Sequence, residues 1–341
     1  MTGVIRPGRG LCALLIAGVV LLAAACGTGD DGAAHRSQTP AATPVGSPAP
    51  TVPAGETAPV KVAFIGDQGS GDNAKAVLQL IKSEGAEIVL HQGDFEYEDD
   101  PQAWDAQINS ILGPDFPYFA SVGNHDECCI PEYQQLLRAR LDKVAGASCD
   151  GELAVQATCT YRGLLMVFVA PGLSGSGHAA YIRDRLAQSE SIWRICSWHY
   201  VMEKMNVGGK GDDAGWDVYE ECRKGGAMVA TGHEHSYART HLMSSFQRQE
   251  VASTSDTLVL ENGKSFAFHS GLGGESIRDQ EQEGEWWAAI YTSDQSANYG
   301  ALFCTFFDGG EKQASCYFKD IDGEVPDQFD LVSEVSPPGA P

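Results

Sequence analysis

Basic residues are in short supply: 23 lysines and arginines face 46 aspartates and glutamates, for a formal net charge of −23. Discarding residues 1–25, which hold Arg6 and Arg9 and no acid, makes the balance more negative still. A basic face for nucleic acid or an anionic membrane is thereby excluded, while a solvated outer surface and bound cations both suit the surplus. No Cys-x-x-Cys pair occurs, which removes a zinc ribbon. There is no internal repeat and no second linker, so the chain beyond about residue 58 reads as a single unit. The apolar stretch Leu11–Ala25 is 15 residues, short of the ~20 that a membrane-spanning helix needs.

What that stretch does form is an export signal, residues 1–25, with Arg6 and Arg9 as its basic start. Its end, Leu21-Leu22-Ala23-Ala24-Ala25-Cys26, resembles a bacterial lipoprotein signal, with cleavage before Cys26 and lipid on its thiol. Ala23 stands where that pattern favours leucine, and an ordinary secretory cut within the alanines is the other reading. Either way the mature chain is expected outside the cytoplasm, touching a membrane only through a lipid on Cys26. Residues 26–58, rich in Ala, Thr, Pro and Gly, cannot bury enough surface to fold and are expected to be a flexible tether. Residues 59–335 are the expected folded domain, and 336–341 a disordered tail. One core can serve a domain of ~275 residues.

Ten cysteines occur, of which Cys12 leaves with the signal and Cys26 is the candidate lipid site. The remaining eight form an even set suited to disulfides in an oxidising compartment. Cys304 and Cys316 flank the turn Asp308-Gly309-Gly310, as cross-strand partners would, and Cys149 and Cys159 bracket a short loop. Cys196 with Cys222 would join a strand to the helix over it. The adjacent Cys128 and Cys129 are left open.

Strand and helix patterns alternate, the mark of an α/β fold. Apolar strands are expected at Val60–Ile65, at Glu87–Leu90, and over 116–122, 164–170, 192–197 and 227–230; helices are expected over 73–81, 180–186 and 216–224. Beyond Thr257 the chain turns β-rich. Five strands end in polar motifs: Gly66-Asp67-Gln68-Gly69, His91-Gln92-Gly93-Asp94, Gly123-Asn124-His125-Asp126, Trp198-His199-Tyr200 and Gly232-His233-Glu234-His235. Strand ends of such sheets are where ligands bind. Asp67, Asp94, Tyr97, Asn124, His199, His233 and His235 make seven oxygen or nitrogen donors and no thiolate. Hard oxygen with imidazole suits iron, manganese or zinc, and two six-coordinate ions sharing Asp94 through its two oxygens would use about this many.

In order and kind these motifs resemble those of the calcineurin-like metallophosphoesterases. Most of that family place a histidine two residues after the first aspartate, where Gly69 stands, and have no tyrosine after the second. The purple acid phosphatase branch shows the reverse, Gly-Asp-x-x-Tyr, and Gly93-Asp94 with Tyr97 follows it, as does 232–239. The resemblance implies a four-layer αββα sandwich of two mixed sheets flanked by helices. It implies two metals: Fe3+ held by Asp67, Tyr97 and His235, and Fe2+, Zn2+ or Mn2+ held by Asn124, His199 and His233, bridged by Asp94. It implies a phosphoesterase that acts by attack of a metal-bound hydroxide on a small phosphate ester, with His125 at the phosphoryl group or leaving oxygen and Asp126 orienting it. A phosphomonoesterase of the acid-phosphatase type is the leading reading. That branch often carries a further histidine shortly after the lone one, and Tyr200–Asn206 supplies none. A phosphodiesterase or nucleotide pyrophosphatase is therefore the alternative, and a non-enzymatic metal-binding lipoprotein the second. Lys204 could contact phosphate but is read as a solvent lysine.

Overall fold

A computed structural model describes residues 58–336. The signal, Cys26, residues 26–57 of the tether and the tail past Ser336 lie outside the described residues.

The chain opens with β1 (Val60–Ile65), α1 (Asp72–Ser83), β2 (Ile88–Gln92), α2 (Pro101–Ile111) and β3 (Tyr118–Ser121). A 3-10 helix (Asn124–Cys129) leads into α3 (Ile130–Leu141), the hairpin β4 (Ser148–Glu152) and β5 (Gln156–Tyr161), then β6 (Leu164–Val169). Next come α4 (His178–Ala187), β7 (Trp193–Ser197), α5 (Trp216–Lys224) and β8 (Met228–Thr231). The rest is strand-rich: β9 (Tyr237–Thr240), β10 (Leu242–Ser245), β11 (Glu250–Ser253), β12 (Thr257–Leu260), β13 (Ala267–Ser270) and β14 (Trp287–Tyr291). It closes with β15 (Gly300–Phe306), β16 (Gln313–Asp320) and β17 (Asp327–Ser333).

Two large mixed sheets form. One runs β12-β17-β16-β15-β1-β2-β3 and the other β14-β9-β13-β8-β7-β6-β5-β4, with β10-β11 a separate pair. Strands β1, β2 and β3 are parallel neighbours, as are β6, β7, β8 and β13. β2, β3, β6, β7 and β8 are buried at every residue. That is why they read as near-continuous apolar runs and not as alternation. The inner faces pack on each other, with Phe64 edge-on to Phe268 at 5.2 Å and Phe119 stacked over Phe168 at 6.4 Å. Val77, Leu78 and Ile81 of α1, Trp104 of α2 and Leu137 of α3 extend that core over the outer face of the first sheet. Ile182 and Leu186 of α4 and Val218 and Tyr219 of α5 build a second core on the outer face of the other. The architecture is the four-layer αββα sandwich.

Four disulfides close: Cys304–Cys316 and Cys149–Cys159 between directly opposed strand residues, Cys196–Cys222 from β7 to α5, and Cys128–Cys129 between neighbours. Such a set belongs to an oxidising, extracytoplasmic compartment. The sheets are also tied by a buried ion pair. Asp327 of β17 takes two bonds from the Arg239 guanidinium of β9, at 2.7 and 2.9 Å, and one from the Tyr237 hydroxyl at 2.7 Å. Among the described residues no helix is long and apolar enough to cross a membrane.

Candidate metal centre

The carboxyl ends of β1, β2 and β3 in one sheet meet those of β7 and β8 in the other, and the polar motifs leave the strands there. Close approach demands glycine. Gly93 has φ +83, and a Cβ on it would lie 2.7 Å from the Gly123 nitrogen and 2.8 Å from the His199 Cβ; one on Gly123 would collide with the Asp94 carboxylate. Three non-glycine residues at the same place also take left-handed backbone: Asp67 (φ 57), Asp94 (φ 55) and His233 (φ 69). Such conformations are costly and collect at functional sites.

All seven candidate donors converge, in two clusters. In the first, the Tyr97 hydroxyl lies 3.4 Å from Asp67 Oδ1, 3.2 Å from Asp94 Oδ2 and 3.3 Å from His235 Nε2. His235 Nε2 is 3.3 Å from Asp67 Oδ1. In the second, His199 Nε2 lies 3.1 Å from Asn124 Oδ1, 3.1 Å from His233 Nδ1 and 3.3 Å from Asp94 Oδ2. Asp94 presents the same oxygen, Oδ2, to both clusters, because Oδ1 accepts the His125 backbone N–H at 2.9 Å. Ions held by the two clusters would share Asp94.

Surrounding bonds aim the donors. His199 Nδ1–H donates to the Gln92 carbonyl at 2.8 Å, which turns Nε2 to the centre. His235 Nδ1 lies 2.5 Å from Ser276 Oγ, again leaving Nε2 inward. Fixing a histidine through its other nitrogen is the usual support of a metal ligand. Asp67 Oδ2 accepts the His233 N–H at 2.9 Å.

The electrostatics fit cations. Asp67 and Asp94 are buried side by side. Burial, then the Asp67 and Asp94 charges, push the Tyr97 phenol far above its ordinary value, so it ionises only with a cation beside it. Against the lowering effect of burial, the Asp94 charge raises His199 to about 9. The imidazole thus holds a proton where a metal ion would take its place.

Asp126 is corrected. Its Oδ2 accepts the N–H groups of Asp94 (3.0 Å) and Gly123 (2.6 Å), and Oδ1 that of Phe95 (2.9 Å). It is a buried staple of the Asp94 loop and makes no bond to His125. Burial and then the Asp94 charge push its carboxyl up, opposed by the Gly123 and Phe95 N–H groups. The 3-10 turn sends position 126 inward and position 125 out: His125 is exposed, its ring 4.3 Å from that of Tyr97. Lys204 is half-exposed and pairs with Glu203 at 3.2 Å, as a solvent lysine would. Sequence reasoning missed Ser276, Glu234, Lys210 and Arg278. All four stand in loops that carry no periodic signal.

A sequence profile of the calcineurin-like phosphoesterase family matches residues 60–237, more than half of the chain. The chain belongs to the calcineurin-like phosphoesterases. Two solved structures share the fold of this calcineurin-like phosphoesterase. A purple acid phosphatase, PPD1 from yellow lupin seeds, superposes with a TM-score of 0.62 at 17% identity, over 82% of this chain and 54% of the lupin chain. GAP50, the anchor in the inner membrane complex of Plasmodium, gives 0.57 at 14% identity, over 82% and 90%. The phosphoesterase described here thus spans about half the length of the lupin enzyme, and at these identities the likeness is one of fold. No curated protein matches the chain in sequence. The two Asp/His clusters supply the donors for the dinuclear metal site that the family implies.

Proposed function

We propose that the protein is an exported phosphomonoesterase of the acid-phosphatase type. The observation that carries this reading is Asp94 Oδ2 standing in both donor clusters, one of which includes a tyrosine hydroxyl. Asp67, Tyr97, His235 and Asp94 would hold Fe3+, and Asn124, His199, His233 and Asp94 would hold Fe2+, Zn2+ or Mn2+. Two such cations acidify water and neutralise charge on the phosphoryl oxygens. The chain's own contribution is position and proton transfer. Asn124 sits at the second cluster, and His125, next to it and open to solvent, protonates the leaving oxygen. Tyr97 packs under the His125 ring and limits its motion.

A panel of p-nitrophenyl phosphate against bis(p-nitrophenyl) phosphate, with defined metals, tests the reading. Faster turnover of the monoester is expected. Faster turnover of the diester would convert the protein into a diesterase, and turnover of neither would leave a metal-binding lipoprotein.

The metal at Tyr97 has its own signature. With Fe3+ bound, phenolate-to-iron charge transfer gives a visible band, and Tyr97→Phe removes it while the circular dichroism spectrum stays that of the wild type. A colourless, active protein holding only zinc or manganese overturns ferric occupancy.

Export through Cys26 is part of the proposal. Cys26→Ala abolishes lipid modification and frees the chain from the membrane fraction. Unmodified Cys26 in membrane-bound mature protein, found by mass spectrometry, would refute it.

A further inference from the structure

Glu234 lies between the two histidines of the Gly-His-Glu-His motif, fully buried, and neither carboxylate oxygen has a hydrogen-bond partner. A buried carboxylate with no donor is costly unless charge of opposite sign stands close. Two cations supply it. Arg278 Nη1 is 3.6 Å from Glu234 Oε2, and its backbone N–H donates to the His235 carbonyl at 2.9 Å. The second is Lys210, on the loop Asn206–Gly211. Gly208 of this loop packs on the Glu234 carboxylate so closely that a Cβ there would overlap it. The loop is held: Asn206 Nδ2–H donates to the Lys210 carbonyl at 3.2 Å, and the Glu281 and Gln282 N–H groups donate to the Val207 carbonyl at 2.8 and 2.9 Å.

Neither cation is saturated. Lys210 is half-buried, and its Nζ makes no hydrogen bond or ion pair among the described residues, although Glu203, Glu281 and Glu283 line the same hollow. Its charge is felt by Asp67, Asp94 and Glu234, while burial and then Arg278 lower its pKa. The Arg278 guanidinium is about two-fifths exposed and has no partner among the described residues nearer than Glu234 at 3.6 Å. The N–H donors of both side chains thus lie unused around Glu234, the residue between the ligand candidates His233 and His235, in a chain whose charge is otherwise acidic.

We propose that Lys210 and Arg278, set in place by Glu234, form an oxyanion-reading pair that takes the non-bridging oxygens of a fully ionised phosphoryl group. The inference rests on the phosphomonoesterase reading. A monoester dianion, or the phosphate it releases, offers the pair one more charged oxygen than a diester does. Glu234 keeps two like charges together before the anion arrives and prevents a site so positive that product phosphate stays bound.

The test uses the metal-loaded protein and the variants Lys210→Ala, Arg278→Ala and Lys210→Arg. The dissociation constant of inorganic phosphate is measured by calorimetry, and kcat/KM for p-nitrophenyl phosphate and bis(p-nitrophenyl) phosphate is measured beside it. Loss of one charge-assisted bond should weaken phosphate binding roughly 10- to 100-fold and lower the monoester-to-diester preference by a similar factor. Lys210→Arg should recover most of both, and all three variants should keep two metals by elemental analysis. Unchanged phosphate affinity, equal losses for the two esters, or loss of metal from an alanine variant would overturn the proposal. A wild-type protein that hydrolyses neither ester would end the phosphomonoesterase reading alone, since the calorimetric arm still decides whether the pair binds phosphate.

Discussion

Asp94→Ala is expected to yield a folded protein with fewer than two metal ions and a phosphoesterase rate lower by roughly 10²–10⁴-fold. The size follows from the several kcal/mol of charge stabilisation that a bound metal gives a phosphoryl oxygen, at 1.36 kcal/mol per tenfold. Asp94 is singled out because Oδ2 alone faces both donor clusters, at 3.2 Å from the Tyr97 hydroxyl and 3.3 Å from His199 Nε2. The residue has φ 55, a conformation that alanine adopts at a cost and asparagine tolerates. Asp94→Asn therefore separates ligand loss from strain. Its carbonyl oxygen still accepts the His125 N–H, while the charge between the two ions is gone. Both variants should lose metal, and the asparagine variant should melt nearer the wild type. Full metal content in Asp94→Asn by elemental analysis would remove Asp94 from the bridging position.

The centre was legible because each donor follows a buried strand, and a glycine beside a carboxylate or imidazole at a strand end survives as a local pattern. Gly93-Asp94 and Gly232-His233 needed no knowledge of the sheets to be noticed. Direction was less legible than location. Asp126 stands next to His125 in the chain, which suggested a partnership. The 3-10 turn instead rotates the two apart, and three backbone N–H groups claim the Asp126 carboxylate. Helix α2 passed unnoticed although it carries a start signal, with the Asp100 carboxylate accepting the Ala103 N–H at 3.0 Å and Pro101 in the first turn. Its buried residues Trp104, Gln107 and Ile108 make too sparse an apolar stripe to declare a helix. Lys210 and Arg278 were beyond reach for another reason. Each sits in an irregular loop, and the two loops meet only in the fold, where Gly208 packs on Glu234 and the Glu281 and Gln282 N–H groups reach the Val207 carbonyl.

His125→Asn should slow cleavage by about 10²–10⁴-fold, the usual worth of general acid assistance, but only for esters whose leaving group needs a proton. A p-nitrophenolate departs readily as an anion, whereas the alkoxide of an alkyl or sugar phosphate does not. Alkyl phosphates are therefore expected to lose far more than p-nitrophenyl phosphate. The structure makes this a clean comparison. The imidazole of His125 is solvent-exposed, stacks at a tilt on the Tyr97 ring and makes no hydrogen bond among the described residues. What His125 does hold, the bond from its backbone N–H to Asp94 Oδ1, survives replacement by asparagine. Metal content should accordingly equal that of the wild type, and any kinetic loss belongs to the side chain. Equal losses for alkyl and p-nitrophenyl phosphates would mean that an imidazolium stabilises charge or positions the phosphoryl group. No loss for either would make His125 a bystander, and the leaving oxygen would take its proton from water.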